Sequence, residues 1–260
     1  NIKKISNGPK SVINLINDLF MKKLFIFIFI LFSFVTQNLH AKDFFYEIYG
    51  LNLKFMEIQF SNSPHQELAT KIKSKGLLNF FVSFKGNGST KAHAKQTSYQ
   101  FQYQKKKKAR STTIVFKDKK VIKNISQPAR KKQTNIIPIQ SHHLQNIVDP
   151  LTAINQLLFN QKSKLNCNQR TKVFDGSDVF YLILSKQSNK DHIVNSSKIT
   201  FKKPLRKCRL QYQTIAGHKA KDEKKFNKSY VDIFYGKQDA VYLPYFLRTK
   251  SKISLKMFLK

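Results

Sequence analysis

Seven histidines, two cysteines and fourteen acidic residues are the groups through which this chain could do chemistry. His142 and His143 are adjacent. Neighbouring imidazoles point apart on a strand, so the pair reads as part of a polar loop before it reads as half of a metal site. His65, His93, His142, His192 and His218 have no Asp, Glu or Cys at ligand spacing, and no His-Glu-x-x-His motif is present. Gly86-Asn87-Gly88-Ser89 has the look of a glycine loop or nucleophile elbow, but it lacks Gly-x-Ser-x-Gly spacing and reads as a turn. Asp175 and Asp178 are close enough in sequence to suggest an acid/base pair. The Asp175-Gly176 dipeptide instead assigns the first to a tight turn and leaves the second as a solvated flank. No catalytic residue, metal site or cofactor is assigned, and the chain reads as non-enzymatic.

The elements that would position these groups are mostly strands. Residues 44–60 alternate with a change of phase near Met56-Glu57, as two strands or one bulged strand would. Residues 99–104 and 111–116 form a hairpin pattern with the lysine block between them as its turn. Residues 173–184 carry Asp-Gly between two β-rich runs, the strongest short hairpin signal in the chain. Residues 208–214, 229–235 and 241–248 read as further strands, the last demoted toward a sheet edge by Pro244. The end of the chain alternates cleanly from Ile253 to Leu259, a half-buried strand. Two segments break the pattern. Residues 76–81 suit one helical turn. Asp149-Pro150-Leu151 opens a helix of about three turns with a capping carboxylate and proline at its first position, and Leu151, Ile154, Leu157 and Leu158 share a face. Residues 124–148 read as a loop between the first strands and this helix.

The first methionine, Met21, is followed by two lysines and then by the largely apolar residues 24–35. Twelve residues fall short of the roughly 20 that span a bilayer, so this is a signal peptide and not a membrane anchor. Cleavage is expected between Ala41 and Lys42, giving an upstream, non-native extension (1–20), a signal (21–41) and a single mature domain (42–260) without a transmembrane helix. No cysteine follows the cut, which argues against a lipid anchor. Soluble export places the domain in the periplasm of a Gram-negative bacterium. An even cysteine count in an oxidising compartment then reads as a disulfide between Cys167 and Cys208.

The chain carries 48 basic against 14 acidic residues, a formal charge of +34. Only six of the basic residues are arginine, the side chain that reads bases and stacks on them, so nucleic acid is disfavoured. A solvated basic surface and contact with anionic lipid head groups remain open. The composition, 41% hydrophobic and 13% aromatic with few Gly and Pro, excludes a disordered or fibrous chain.

Residues 149–159 followed by 167–184, with Asp149, Pro150, Leu151, Ala153, Phe174, Asp175 and Gly176, resemble the central signature of the bacterial exported family named domain of unknown function 3108. Tyr49-Gly50-Leu51, Cys208 with Tyr212, Ile215-Ala216-Gly217 and Leu243-Pro244 are similar to its flanking stretches, and together these cover most of residues 43–260. A second early glycine of that family is absent, with Lys54 near its place. The resemblance implies export and a shape similar to the half-open antiparallel barrels of lipoprotein carriers, and supplies no catalytic residues. The expected fold is therefore mainly β, a curved antiparallel sheet or half-open barrel with one or two short helices. Two functions follow as expectations. One is binding of an apolar or lipid-like envelope component in a cavity under the sheet or on an anionic surface. The other is binding of an envelope protein along an exposed strand edge, with 251–260 as the candidate. An envelope hydrolase would need an acid, base and nucleophile clustered by the fold.

Overall fold

The computed structural model describes residues 42–260 apart from 64–67, 77–78, 80–82, 130–133, 162–163, 188–191, 195–203, 239–240 and 250–253. The signal segment, the upstream extension, Ala41, His65 and most of the expected turn at 76–81 lie outside the described residues.

Strands β1 (Lys42–Gly50), β2 (Leu53–Asn62), β3 (Leu68–Ser74), β4 (Phe84–His93), β5 (Gln96–Lys105), β6 (Lys108–Lys117) and β7 (Lys120–Gln127) come first. Helix α1 (Pro150–Ile154) follows and continues as one π turn (Asn155–Phe159). Then come β8 (Gln169–Phe174), β9 (Val179–Lys186), β10 (Arg206–Ala216), helix α2 (Glu223–Asn227), β11 (Tyr230–Gln238), β12 (Val241–Thr249) and β13 (Leu255–Leu259). All thirteen strands form one antiparallel sheet in the order β7-β6-β5-β4-β3-β2-β1-β13-β12-β11-β10-β9-β8. Each half is a meander of hairpins. Leu51-Asn52 and Asp118-Lys119 supply the positive φ that two-residue turns between twisted strands require. The lysine block turns between β5 and β6, with Lys106 at φ 53°. The phase change in residues 44–60 is a bulge at Phe55: Ile48 faces Met56, whereas Tyr49 faces Lys54.

The sheet curls until its edge strands, β7 and β8, approach without pairing. Asn124 on β7 donates to the Gly176 carbonyl at 3.0 Å. Ile147 and Val148 wedge between the edges: Ile147 N–H donates to Lys119 O at 2.9 Å, and Val148 exchanges bonds with Lys172 and Phe174 at 3.1 and 3.0 Å. This wedge delivers Asp149 to a fully buried position. Its Oδ1 accepts from the Leu151 and Thr152 amides, capping α1, and from the Thr90 hydroxyl on β4 at 2.7 Å. Asp149→Ala removes the cap and orphans a buried hydroxyl, so a loss of about 3 kcal/mol is expected in urea denaturation.

From there α1 enters the concave side of the sheet. Leu151, Leu157, Leu158 and Phe159 are buried against Phe44, Tyr46, Phe60 and Leu68, and Phe159 stacks on Phe44 at 4.7 Å. Tyr235 and Gln161 donate to the Leu157 carbonyl, which the end of the helix leaves free. The apolar space expected under the curved sheet is thus occupied, at this level, by the chain's own helix.

Four expectations are corrected. Gly86-Asn87-Gly88-Ser89 is not a turn but the middle of β4, where a Cβ on Gly88 would sit 2.9 Å from Phe101 and 3.3 Å from Leu151. The glycine lets α1 and β5 approach the strand. Strand β12 is central, not an edge; a bulge at Tyr245 absorbs Pro244, and pairing with β13 starts only at Phe246. Strand β13 is also central, paired with β1 and β12, so residues 255–259 of the expected edge segment offer no exposed edge, and 251–253 lie outside the described residues. Residues 124–127 of the expected loop belong to strand β7.

Candidate functional site

The residues singled out in sequence serve mainly the architecture. His142 and His143 lie in a 3-10 turn (Ser141–Leu144), ring centroids 4.0 Å apart, and His143 Nδ1 accepts from the Gln140 amide. Desolvation, then His142 and Lys172, lower the His143 pKa. Asp175 Oδ1 accepts from the Ser177 and Asp178 amides, both at 2.8 Å, and so shapes the β8–β9 turn. Gly217, at φ +91°, packs against that same turn. Cys167 and Cys208 form a disulfide with Cα atoms 5.7 Å apart. Asp149, Pro150, Leu151, Ala153, Phe174, Asp175, Gly176 and Gly217 are therefore brought together around the wedge and the β8–β9 turn, whereas Pro244 lies apart, its carbonyl accepting from Tyr46. Among the described residues no three His, Cys, Asp or Glu side chains come within reach of a common metal ion.

Chemistry gathers instead on the opposite, convex face of β10–β13. On β11, Ile233 and Tyr235 point into the core, so Asp232 and Phe234, which alternate with them, point to the other face. Cross-strand register aligns Phe234 with Phe246 and Phe258; Phe246 stacks on Phe258 at 5.0 Å and meets Phe234 tilted at 5.2 Å. Leu205 is buried with them, Tyr49 meets Phe258 edge-on at 5.8 Å, and His192 meets Phe234 edge-on at 5.7 Å. His192 is held by two backbone bonds to Leu205, at 2.8 and 2.9 Å.

The adjacent row across the same strands is charged: Lys256 faces Arg248, which faces Asp232, which faces Arg209. Asp232 binds Lys207 and Arg209 Nε at 2.9 Å, with Arg248 at 3.8 Å. Desolvation acts to raise its carboxyl pKa, but hydrogen bonds from Arg209 and Lys207 prevail and hold it below the usual range. Arg209 lies 3.7 Å over the Tyr230 ring. Beside the aromatic stack and these cations runs a groove of about 540 Å3, lined by His192, Phe234, Arg248, Lys256, Phe258 and Lys207, among others.

The face continues onto β1–β3, where Phe45, 47% exposed, walls a slot of about 310 Å3 with Lys71, Lys73 and Lys260 at its rim. Glu47 and Glu57 lie directly opposite across β1 and β2. Lys54 bridges them, with Lys260 on Glu47 and Lys75 on Glu57. Desolvation would raise the Glu47 pKa, but hydrogen bonds from Lys260, Lys54 and Tyr49 hold it at about 2. A carboxyl lowered in the fold stabilises it above the unfolded pKa and loses that stabilisation as pH falls through the folded one. Urea midpoints at about pH 6 and about pH 3 are expected to differ more for the native chain than for Glu47→Gln, and equal differences would refute the role given to this network.

Sequence reading did not single out this face. Its residues come from four strands and the segment at 192–194 and meet only through register. The available signal was the run Ile233-Phe234-Tyr235, apolar without alternation, which marks a strand buried on both faces.

No family model matches this chain, and no curated protein matches it. Among solved structures, the crystal structure of a beta-barrel-like protein of domain of unknown function DUF1849 from Brucella abortus is similar, with TM-score 0.47 and 11% identity over 85% of this chain and 96% of that one.

Proposed function

We propose that this chain is an exported binding protein, not an enzyme, whose convex face contacts an anionic amphiphile of the cell envelope. The observation that carries this reading is the set of four cations on this face, Lys207, Arg209, Arg248 and Lys256, of which the first three share the one carboxylate of Asp232 and Lys256 joins no ion pair among the described residues. Phe234, Phe246 and Phe258 are themselves buried, and the exposed apolar side chains are Ile193 at the groove and Phe45 on β1; beside an excess of positive charge these suit a molecule with an acyl tail and a negative head group. The exposed Phe45 with Lys71, Lys73 and Lys260 extends that surface. The filled concave side moves the expected apolar contact to the outside of the sheet. Kinship with domain of unknown function 3108 belongs to the same proposal and is supported by its central signature residues, Asp149, Pro150, Leu151, Phe174, Asp175 and Gly176, lying around the wedge and the β8–β9 turn.

Co-sedimentation with vesicles tests the contact. Binding to vesicles of anionic phospholipid, lost in high salt and absent with phosphatidylcholine alone, is expected. Equal binding to both vesicle types, or none to either, would overturn the reading. Phe45→Ser is expected to weaken binding severalfold without changing the thermal midpoint. Export is tested by the intact mass of protein recovered from a Gram-negative periplasm: a mature chain starting at Lys42 with its disulfide closed supports it, and an uncut chain with free thiols refutes it.

A further inference from the structure

We infer that the groove on β10–β13 is a phosphate site, so that the head group of the proposed amphiphile is a phosphate ester; this rests on the amphiphile reading above. Three observations converge. First, Arg248 and Lys256 are direct cross-strand partners. Like charges so placed destabilise a sheet unless an anion lies between them. Asp232 does not fill that role: it sits 3.8 Å from Arg248 and is engaged by Lys207 and Arg209, and Lys256 joins no ion pair among the described residues.

Second, His192 Nε2 is buried in the groove wall without a hydrogen-bond partner among the described residues. A buried polar atom left unpaired is costly, and a ligand oxygen or hydroxyl would satisfy it. Third, the groove gathers donors from four separate elements: Lys207 from β10, Arg248 from β12, Lys256 from β13 and His192 from the segment preceding β10. A carboxylate presents two oxygens in one plane, whereas a phosphate ester presents several around a tetrahedron and accepts donors from several sides. The guanidinium of Arg248, about half exposed, keeps its planar fork available for such a group.

Titration calorimetry with dodecyl phosphate, dodecyl maltoside and inorganic phosphate tests the site. Dodecyl phosphate is expected to bind at least tenfold more tightly than dodecyl maltoside, and Arg248→Gln and Lys256→Gln are each expected to cut dodecyl phosphate affinity about tenfold while leaving the maltoside unaffected. Inorganic phosphate binding as tightly as dodecyl phosphate, with the same dependence on both variants, would keep the phosphate site and overturn the amphiphile reading. Equal affinity for dodecyl phosphate and maltoside would overturn both the phosphate site and the anionic head group, leaving only contact with an apolar tail. No binding by any of the three overturns both. Phosphate binding unchanged in the two variants, each retaining the native thermal midpoint, places the anion elsewhere and refutes the inference.

Discussion

Gly217→Ala is expected to destabilise the domain by about 4 kcal/mol, because the new methyl adds a steric clash to a left-handed backbone strain. Its ideal Cβ would run into the Ser177 carbonyl oxygen and lie 2.8 Å from Asp178 Cα, with φ already at +91°. Neither neighbour is a flexible side-chain tip. The β8–β9 turn is fixed by the bonds to Asp175 Oδ1, and Gly217 N–H is bound to Ile137 O at 2.8 Å on its other side. The thermal midpoint should fall by roughly 8–16 °C. Gly86→Ala is the control: its Cβ would make only ordinary contacts, the nearest at 3.4 Å, and about 1 kcal/mol or less is expected. A loss for Gly217→Ala as small as that of the control would show that the turn yields, and would remove the steric role assigned to this glycine.

Removing the disulfide should have a similar effect by a different route. Cys167 precedes β8 and Cys208 lies on β10, so the bond ties the segment after α1 across two strands; 41 positions separate the cysteines. Loop-closure entropy for that span gives about 4 kcal/mol, acting on the unfolded chain. Reductant should therefore lower the thermal midpoint of the native chain by roughly 8–16 °C and leave that of Cys167→Ala/Cys208→Ala unmoved. Both sulfurs are buried, so alanine keeps the site apolar. An unchanged midpoint on reduction would mean that the folded chain does not depend on the link.

Features governed by near neighbours in sequence were legible. The Asp149 cap, the Pro150 start and the Asp175-Gly176 turn are local chemistry, and each appears where the residue types demand it. The glycines of β4 were misread because their reason is remote: Gly88 answers to Leu151, more than sixty positions on. Pro244 was misread because a bulge, which leaves no mark in alternation, removes its conflict with a central strand. The clean alternation of residues 253–259 announced a strand but not its partners, since pairing with β1 spans the whole domain. The groove was illegible for the same reason: Phe234, Phe246 and Phe258 are separated by twelve positions each and become neighbours only through register.

The sheet order also dictates when the molecule can exist. Strands β1–β7 and β8–β12 are two runs of adjacent hairpins, each able to zip as it is made, yet they share no ladder of their own; β13 is the keystone between β1 and β12. A nascent chain lacking residues 255–259 therefore presents two open edges at once and no finished phosphate groove, since Lys256 and Phe258 are on the missing piece. Closure of the sheet and completion of the groove are thus a single late event, and a chain still being made has no complete groove.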